Sequence, residues 1–262
     1  MKTSVIVTTY NRPDVLKKVL DGLRQQKVLP DEVIVADDGS GPQTEAMIRT
    51  LQVDSPYPLH HVWQEDDGFR AARIRNKAIV HAQGDYLISL DGDCIPGEYF
   101  IADHRRLAEK GTFFQGKRIL VKKSLTPDFT YKDANSVMTL LKYAVTKRIK
   151  NSHHIFRVPY FPTALSTRLG GIKSCNMGFF RDDLFAVNGF NQDFVGWGRE
   201  DSELAVRLFA YGLKRKGHPF MAICFHLWHE ENNRDQLPIN DELLRNATLK
   251  NGYICNNGLV QR

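Results

Sequence analysis

The stretch Asp85-Tyr86-Leu87-Ile88-Ser89-Leu90-Asp91-Gly92-Asp93 decides the fold. Its apolar run reads as a buried strand, and the strand ends in two carboxylates separated by a glycine. Upstream the same rhythm repeats. Ser4–Thr8 (Ser-Val-Ile-Val-Thr) is a β-branched run, Glu32–Ala36 (Glu-Val-Ile-Val-Ala) a second, and Leu59–Gln64 a third. Between them lie helical signals. Asn11 stands as a cap with Pro13 in the first turn, and Val15, Leu16, Val19, Leu20 and Leu23 follow at helical spacing. Gln43–Leu51 and Ala71–Ala82 read as two further helices. Alternating strand and helix predicts an α/β fold with a mostly parallel sheet flanked by helices. Ligands gather at the carboxyl ends of such strands, and Thr8, Asp37, Asp38, Asp91 and Asp93 all fall there.

At 262 residues the chain fits one large domain. After Val121 the rhythm breaks into a basic segment at about 136–173. Glu200–Tyr211 then reads as a helix, Met221–Phe225 as a strand, and the tail from about 240 as polar and mobile. No apolar run approaches a membrane span, and the N-terminus shows no signal peptide. Four scattered cysteines (Cys94, Cys175, Cys224, Cys255) predict free buried thiols in a reducing cytoplasm. The net charge of +6 is concentrated at Lys142, Lys147, Arg148, Lys150, Arg157, Arg168 and Lys173. Apolar residues interleave them. A solvated helical face and a contact with an anionic membrane surface both fit that pattern. Nucleic-acid binding ranks behind them, because no recognition motif accompanies the charge.

The chemistry lies in five places. Asp91-Gly92-Asp93 offers hard oxygen ligands for a divalent metal beside a nucleotide diphosphate. Asp37-Asp38-Gly39-Ser40 forms a second acidic loop at the same sheet edge, able to accept from a base N–H or a ribose hydroxyl. Arg70, Arg73 and Arg75 are cations suited to a diphosphate, with Arg73 the best candidate for a plain solvated face. His226 and His229 flank Leu227-Trp228 and can complete a metal shell begun by Asp93. Gly196-Trp197-Gly198-Arg199-Glu200-Asp201 sets an aromatic platform beside two acids at a helix start. There the helix dipole is expected to keep Asp201 ionised, as a base requires.

These motifs resemble a known family. Ser4–Asn11, Val35–Ser40 and Leu90–Asp93 look like the nucleotide-binding half of family 2 glycosyltransferases with the GT-A fold. The segment from Asn188 through Asp201 resembles the C-terminal region of β1,4-galactosyltransferase and bacterial chondroitin-polymerase-type enzymes. The resemblance implies a nucleotide-sugar-binding half at 1–121, and an acceptor-binding and catalytic half at 122–262. Thr8 and Tyr10 would line the base and ribose pocket, with Asp38 or Asp37 on the uracil, Arg70 or Arg75 on the nucleotide, and Asp91 on ribose or metal. Asp93 and His229, with His226 beside them, would bind Mn²⁺ or Mg²⁺. Trp197 would be the acceptor platform, Glu200 would touch a sugar, and Asp201 would be the base. Position 199 departs from the family pattern Gly-Trp-Gly-Gly-Glu-Asp, and its arginine would either serve an acidic acceptor or point away.

The expectation is an inverting, metal-dependent transferase using a UDP-sugar donor. Its acceptor would be a glycan or lipid-linked glycan of a bacterial surface polymer such as lipopolysaccharide or capsule. Its place would be cytoplasmic, either free or peripheral on the inner face of the plasma membrane. A sugar nucleotidyltransferase should carry a glycine-rich, lysine-bearing loop after the first strand, where Thr9-Tyr10-Asn11-Arg12 stands instead. A non-catalytic sugar- or nucleotide-binding module would not need the Glu200-Asp201 pair.

Overall fold

The computed structural model describes residues 1–231 and 233–261. Along the chain run β1 (Thr3–Thr9), α1 (Pro13–Arg24), β2 (Glu32–Asp37), α2 (Pro42–Gln52), β3 (Leu59–Trp63), α3 (Ala71–His81) and β4 (Tyr86–Asp91). The remainder comprises β5 (Cys94–Pro96), α4 (Phe100–Leu107), β6 (Thr112–Gln115), β7 (Lys117–Val121), α5 (Tyr131–Ala134), α6 (Val137–Val145), β8 (Ile149–Lys150), β9 (Ala164–Ser166), β10 (Asn176–Phe180), α7 (Arg181–Ala186), α8 (Glu200–Ala210), β11 (Lys214–Gly217), β12 (Ile223–His226) and α9 (Leu237–Lys250). The predicted elements of the first half all form, with ends shifted by a residue or two.

The large sheet has eight strands in the order β3-β2-β1-β4-β10-β6-β11-β9. The first four are mutually parallel, β10 is reversed, β6 and β11 run with the first four, and β9 is reversed again. Alternation along β1 sorts its side chains to two faces. Val5 and Val7 meet Leu16, Val19 and Leu20 of α1, while Ile6 packs in a separate cluster with Ile74 and Ala78 of α3 and Leu204 of α8. Burying each such aliphatic side chain contributes about 1.5–3 kcal/mol, which explains why strands covered on both faces read so clearly.

Of a second sheet, β5-β12-β7-β8, the sequence reading holds only β12, as Met221–Phe225. Asn176 fastens it to the first. From the start of β10 its Nδ2 donates to Ala222 O at 2.7 Å and Lys117 O at 3.1 Å, while Oδ1 meets Nε2 of buried His104 at 3.0 Å.

Three expectations need correction. Asn11 does not cap α1; Arg12 occupies that position. Asn11 has φ +47°, donates its N–H to Ser40 Oγ and accepts from Gly41 N–H, so it ties the first loop to the second. The tail from 240 is not mobile. Asn240 is buried and its Nδ2 donates to Val195 O, while Asn188 Nδ2 donates to the carbonyls of Cys255 and Val260. The basic segment is not one helical face either. Its cations spread over α6, β8 and loops, and Arg157 pairs with buried Asp103. The four cysteines are free and buried, as expected.

Candidate active site

The parallel strands bring Thr8, Asp37 and Asp91 to one edge, with Thr8 in register with Asp91 across β1 and β4. Gly92 permits the approach. Its N–H donates to Thr8 O at 2.7 Å, and a Cβ there would lie 2.8 Å from that same oxygen. The chain can therefore turn directly into Asp93.

The second sheet then delivers the histidines. β12 pairs antiparallel with β5, placing His226 opposite Cys94, and Leu227 N–H donates to Asp93 O at 2.9 Å. His229 Nε2 lies 3.3 Å and His226 Nε2 3.7 Å from the Asp93 carboxylate. One ligand atom from each of the three residues can be chosen so that all lie within 4.8 Å of one another. His229 Nδ1 meets Glu230 O at 2.6 Å, which fixes its proton there and leaves the Nε2 lone pair facing Asp93. Burial lowers His226 to about 4, so its ring is a neutral donor atom at physiological pH. One carboxylate and two imidazoles fit a divalent ion, and suit Mn²⁺ better than Mg²⁺, which prefers an all-oxygen shell.

Arg75 is the buried cation at the centre. Its Nε donates to Thr8 Oγ1 (3.2 Å), Nη1 to Glu200 (3.1 Å) and Nη2 to Asp91 (3.3 Å), and its guanidinium lies over the Phe190 ring. Burial alone would lower its pKa, but Asp91 and Glu200 outweigh that and raise it. Asp91 is pushed up to about 6, burial being the main cause, with Arg75 opposing and Asp93 and Asp201 adding to it.

Asp201 opens α8. Its Oδ2 accepts from Ser174 N–H at 3.2 Å. Burial first, then Glu200, raises its pKa to about 6, so crowding outweighs the helix dipole that was expected to hold it down. Glu200 is itself buried and engaged by Arg75.

The two acids of the second loop divide. Asp37 is fully buried and spends its oxygens on Ser40 N–H (2.8 Å) and His61 Nε2 (2.9 Å), shaping the loop. Asp38 accepts from Gln64 Nε2 and Arg70 N–H, and burial raises its pKa. Tyr10 is exposed with its hydroxyl on Asp66, and the Arg70 side chain is drawn to Asp67. The structure therefore puts Arg75, not Arg70, at the convergence of the site.

Trp197 is partly exposed, and the Arg234 guanidinium sits 5.1 Å from its ring centroid. Arg199 occupies the left-handed region at φ +78° and its Nε bonds Asp241 of α9, so its side chain runs away from Glu200 and Asp201. Gly196, also left-handed at φ +74°, would drive a Cβ to 2.8 Å from Gln236 just before α9. That helix thus presses on the Gly-Trp-Gly loop. Sequence reasoning missed Arg12, 3.7 Å from Asp93, and the Ser174 amide on Asp201. The first was signalled by a cation just past a strand end; the second had no signal, because any residue supplies an amide.

Residues 4–166 match the profile described as Glycosyl transferase family 2, and residues 150–230 match the one described as the N-terminal domain of galactosyltransferase. Chondroitin synthase from Escherichia coli is 27% identical over 223 residues, 80% of this chain and 32% of that protein. The chain thus spans about a third of that relative's length. Among solved structures, S. aureus TarS 1–349 in complex with UDP-GlcNAc superimposes with TM-score 0.69 at 16% identity, covering 94% of this chain and 66% of that one. Mannosyltransferase PcManGT from Pyrobaculum calidifontis, in complex with GDP-Man and Mn²⁺, gives 0.57 at 21% identity over 86% and 56% of the two chains. At these identities the likeness is one of fold, the GT-A type.

Proposed function

We propose, from the premise that the chain belongs to glycosyl transferase family 2, that it moves a hexose or N-acetylhexosamine from a UDP-sugar to a hydroxyl of a surface-glycan acceptor, inverting the anomeric centre. One observation carries the reading. A metal-ligand set (Asp93, His226, His229) and a crowded carboxylate raised to about 6 (Asp201) lie near Asp91, whose carboxyl senses the charge of both Asp93 and Asp201.

The residues divide the work. Asp38 keeps free lone pairs on both oxygens for a base N–H, and Thr8 and Tyr10 border the same cleft. Arg75 orients Asp91 toward the ribose and pairs with Glu200. Bound Mn²⁺ would be held by Asp93, His226 and His229, and would supply positive charge to the diphosphate. Asp201 accepts the proton of the acceptor hydroxyl as that oxygen bonds to the anomeric carbon. The carbon–oxygen bond to the diphosphate breaks on the opposite face, and its electron pair leaves with UDP. An α-linked donor then yields a β-glycoside.

Location forms part of the same proposal. α6 exposes Val137, Met138, Leu141 and Val145 along one face, with Lys142, Lys147 and Lys150 exposed beside it. An apolar stripe with flanking cations suits peripheral contact with an anionic bilayer on the cytoplasmic side, where a lipid-linked acceptor is found. Among the described residues no helix is long and apolar enough to cross a membrane.

The test is UDP release from a panel of UDP-sugars with Mn²⁺, with and without EDTA, beside Asp93→Ala. Metal-dependent release from one donor, lost in the variant, is the expected outcome. Failure to bind UDP in calorimetry would remove the reading.

A further inference from the structure

The large sheet extends the site sideways. β6 runs in the direction of β4 and is separated from it only by β10, so Gln115 at its carboxyl end lies on the edge that carries Thr8, Asp37 and Asp91. Beyond Gln115 is a cavity of about 280 Å³. Its wall includes Lys117, Arg118, His154, Lys173 and Cys175, and no carboxylate.

The charge there is unbalanced. Other buried arginines meet acids: Arg75 meets Glu200, Arg207 meets Glu203. Among the described residues, Lys117, half-buried Arg118 and Lys173 form no ion pair; the Arg118 guanidinium bonds Cys175 Sγ at 3.6 Å, with Asp91 near enough to raise its pKa. His154 does not compensate. Burial lowers it to about 4, and its neutral ring donates to Pro219 O.

The cavity and the base share a wall. Gln115 bonds both the N–H and the carbonyl of Lys173, at 3.0 Å each, and Ser174 N–H holds Asp201. Cys175 O accepts from Asp91 N–H. With ~3.3–3.6 Å of chain per residue, Lys173 branches immediately beside the reacting hydroxyl's place.

Resting on the transferase reading above, we propose that this cavity is a subsite for an anionic group, carboxylate or phosphate, carried by the acceptor glycan next to the sugar that receives the transferred residue. The Arg118 fork and two lysine point charges match such a group. The donor diphosphate would be served at Asp93 and the histidines, and Arg118, whose charge reaches Asp91 and His226, borders both places.

Calorimetry with UDP and Mn²⁺ present tests this with three probes: methyl β-glucuronide, glucose 6-phosphate and methyl β-glucoside. At least one charged probe should bind about tenfold tighter than the neutral one, and which does so separates carboxylate from phosphate. In Lys117→Gln/Lys173→Gln, two exposed positions, the preference should vanish while the affinity for UDP alone and the melting temperature hold. Equal binding of all probes, or no binding of any, overturns the proposal. So does a parallel loss of UDP affinity in the variant, which would give the cavity to the donor. Absence of UDP binding to the unsubstituted protein would instead bring down the transferase reading.

Discussion

Arg75 and Glu200 are 125 positions apart and meet in a buried ion pair at 3.1 Å. The contact joins the first half of the chain to the second, which carries Asp201, the proposed base. Breaking a buried pair leaves an uncompensated charge, at a cost of about 3–5 kcal/mol. Arg75→Ala should therefore lower the unfolding free energy measured in urea by that amount and weaken UDP binding. A stability unchanged in equilibrium unfolding would mean that Glu200 finds water or another partner.

The metal site yields a sharper outcome. His229→Ala removes a ligand whose tautomer is fixed by its own backbone contact. It should weaken Mn²⁺ binding at least about 10-fold, read by calorimetry or by the Mn²⁺ spin-resonance signal, without moving the melting temperature. Unchanged Mn²⁺ affinity would exclude His229 from the shell.

Asp201 sets a pH dependence. A base must be ionised, so kcat/KM should climb with pH through about 6 and level above it. Asp201→Asn should cut transfer about 10²–10⁴-fold and leave UDP affinity intact. The stability sign is opposite. With its folded pKa raised, the carboxyl favours the fold in its protonated form, and that contribution is lost as pH rises through about 6. The Asn variant should thus be no less stable at neutral pH. A flat rate profile across this range would remove Asp201 from the base role.

Arg199 sits where the family pattern has glycine, in a left-handed conformation that costs a side-chain residue about 1–2 kcal/mol. Its exposed pair with Asp241 returns only about 0–1 kcal/mol. Arg199→Gly should stabilise the protein by about 0.5–1 kcal/mol in urea unfolding. A loss of stability would show that the bridge to α9 is the stronger effect.

For the α6 surface, cosedimentation with phosphatidylglycerol vesicles at low salt is expected. It should be absent with phosphatidylcholine vesicles and reduced by Met138→Glu/Val145→Glu. Equal binding to both lipids would leave the lysines without a role, and no binding to either would end the membrane assignment.

The sequence was legible where one physical effect dominated. Val5, Val7, Val33 and Val35 are buried on one face and Ile6, Ile34 and Ala36 on the other, so β1 and β2 are plain. Asp91-Gly92-Asp93 announced itself by following such a strand. β10, Asn-Met-Gly-Phe-Phe, was not read, because its polar Asn176 is the joint between two sheets and only the fold shows what it bonds. β5 and β8 are three and two residues long, too short for any period to appear. α9 looked like polar tail because its contacts come through Asn240 and the glycine loop rather than an apolar stripe. Asp37 and Asp38 are adjacent in sequence, yet only burial shows that one is a loop brace.

The small sheet has a consequence for diversification. Its pairing of Cys94 with His226 sets the proposed metal ligands by backbone register, and the loops between 152 and 172 take no part in that register. Grafting those loops from a relative should change which acceptor is accepted while the metal chemistry is inherited unaltered. The scaffold therefore separates what a descendant can vary from what it must keep.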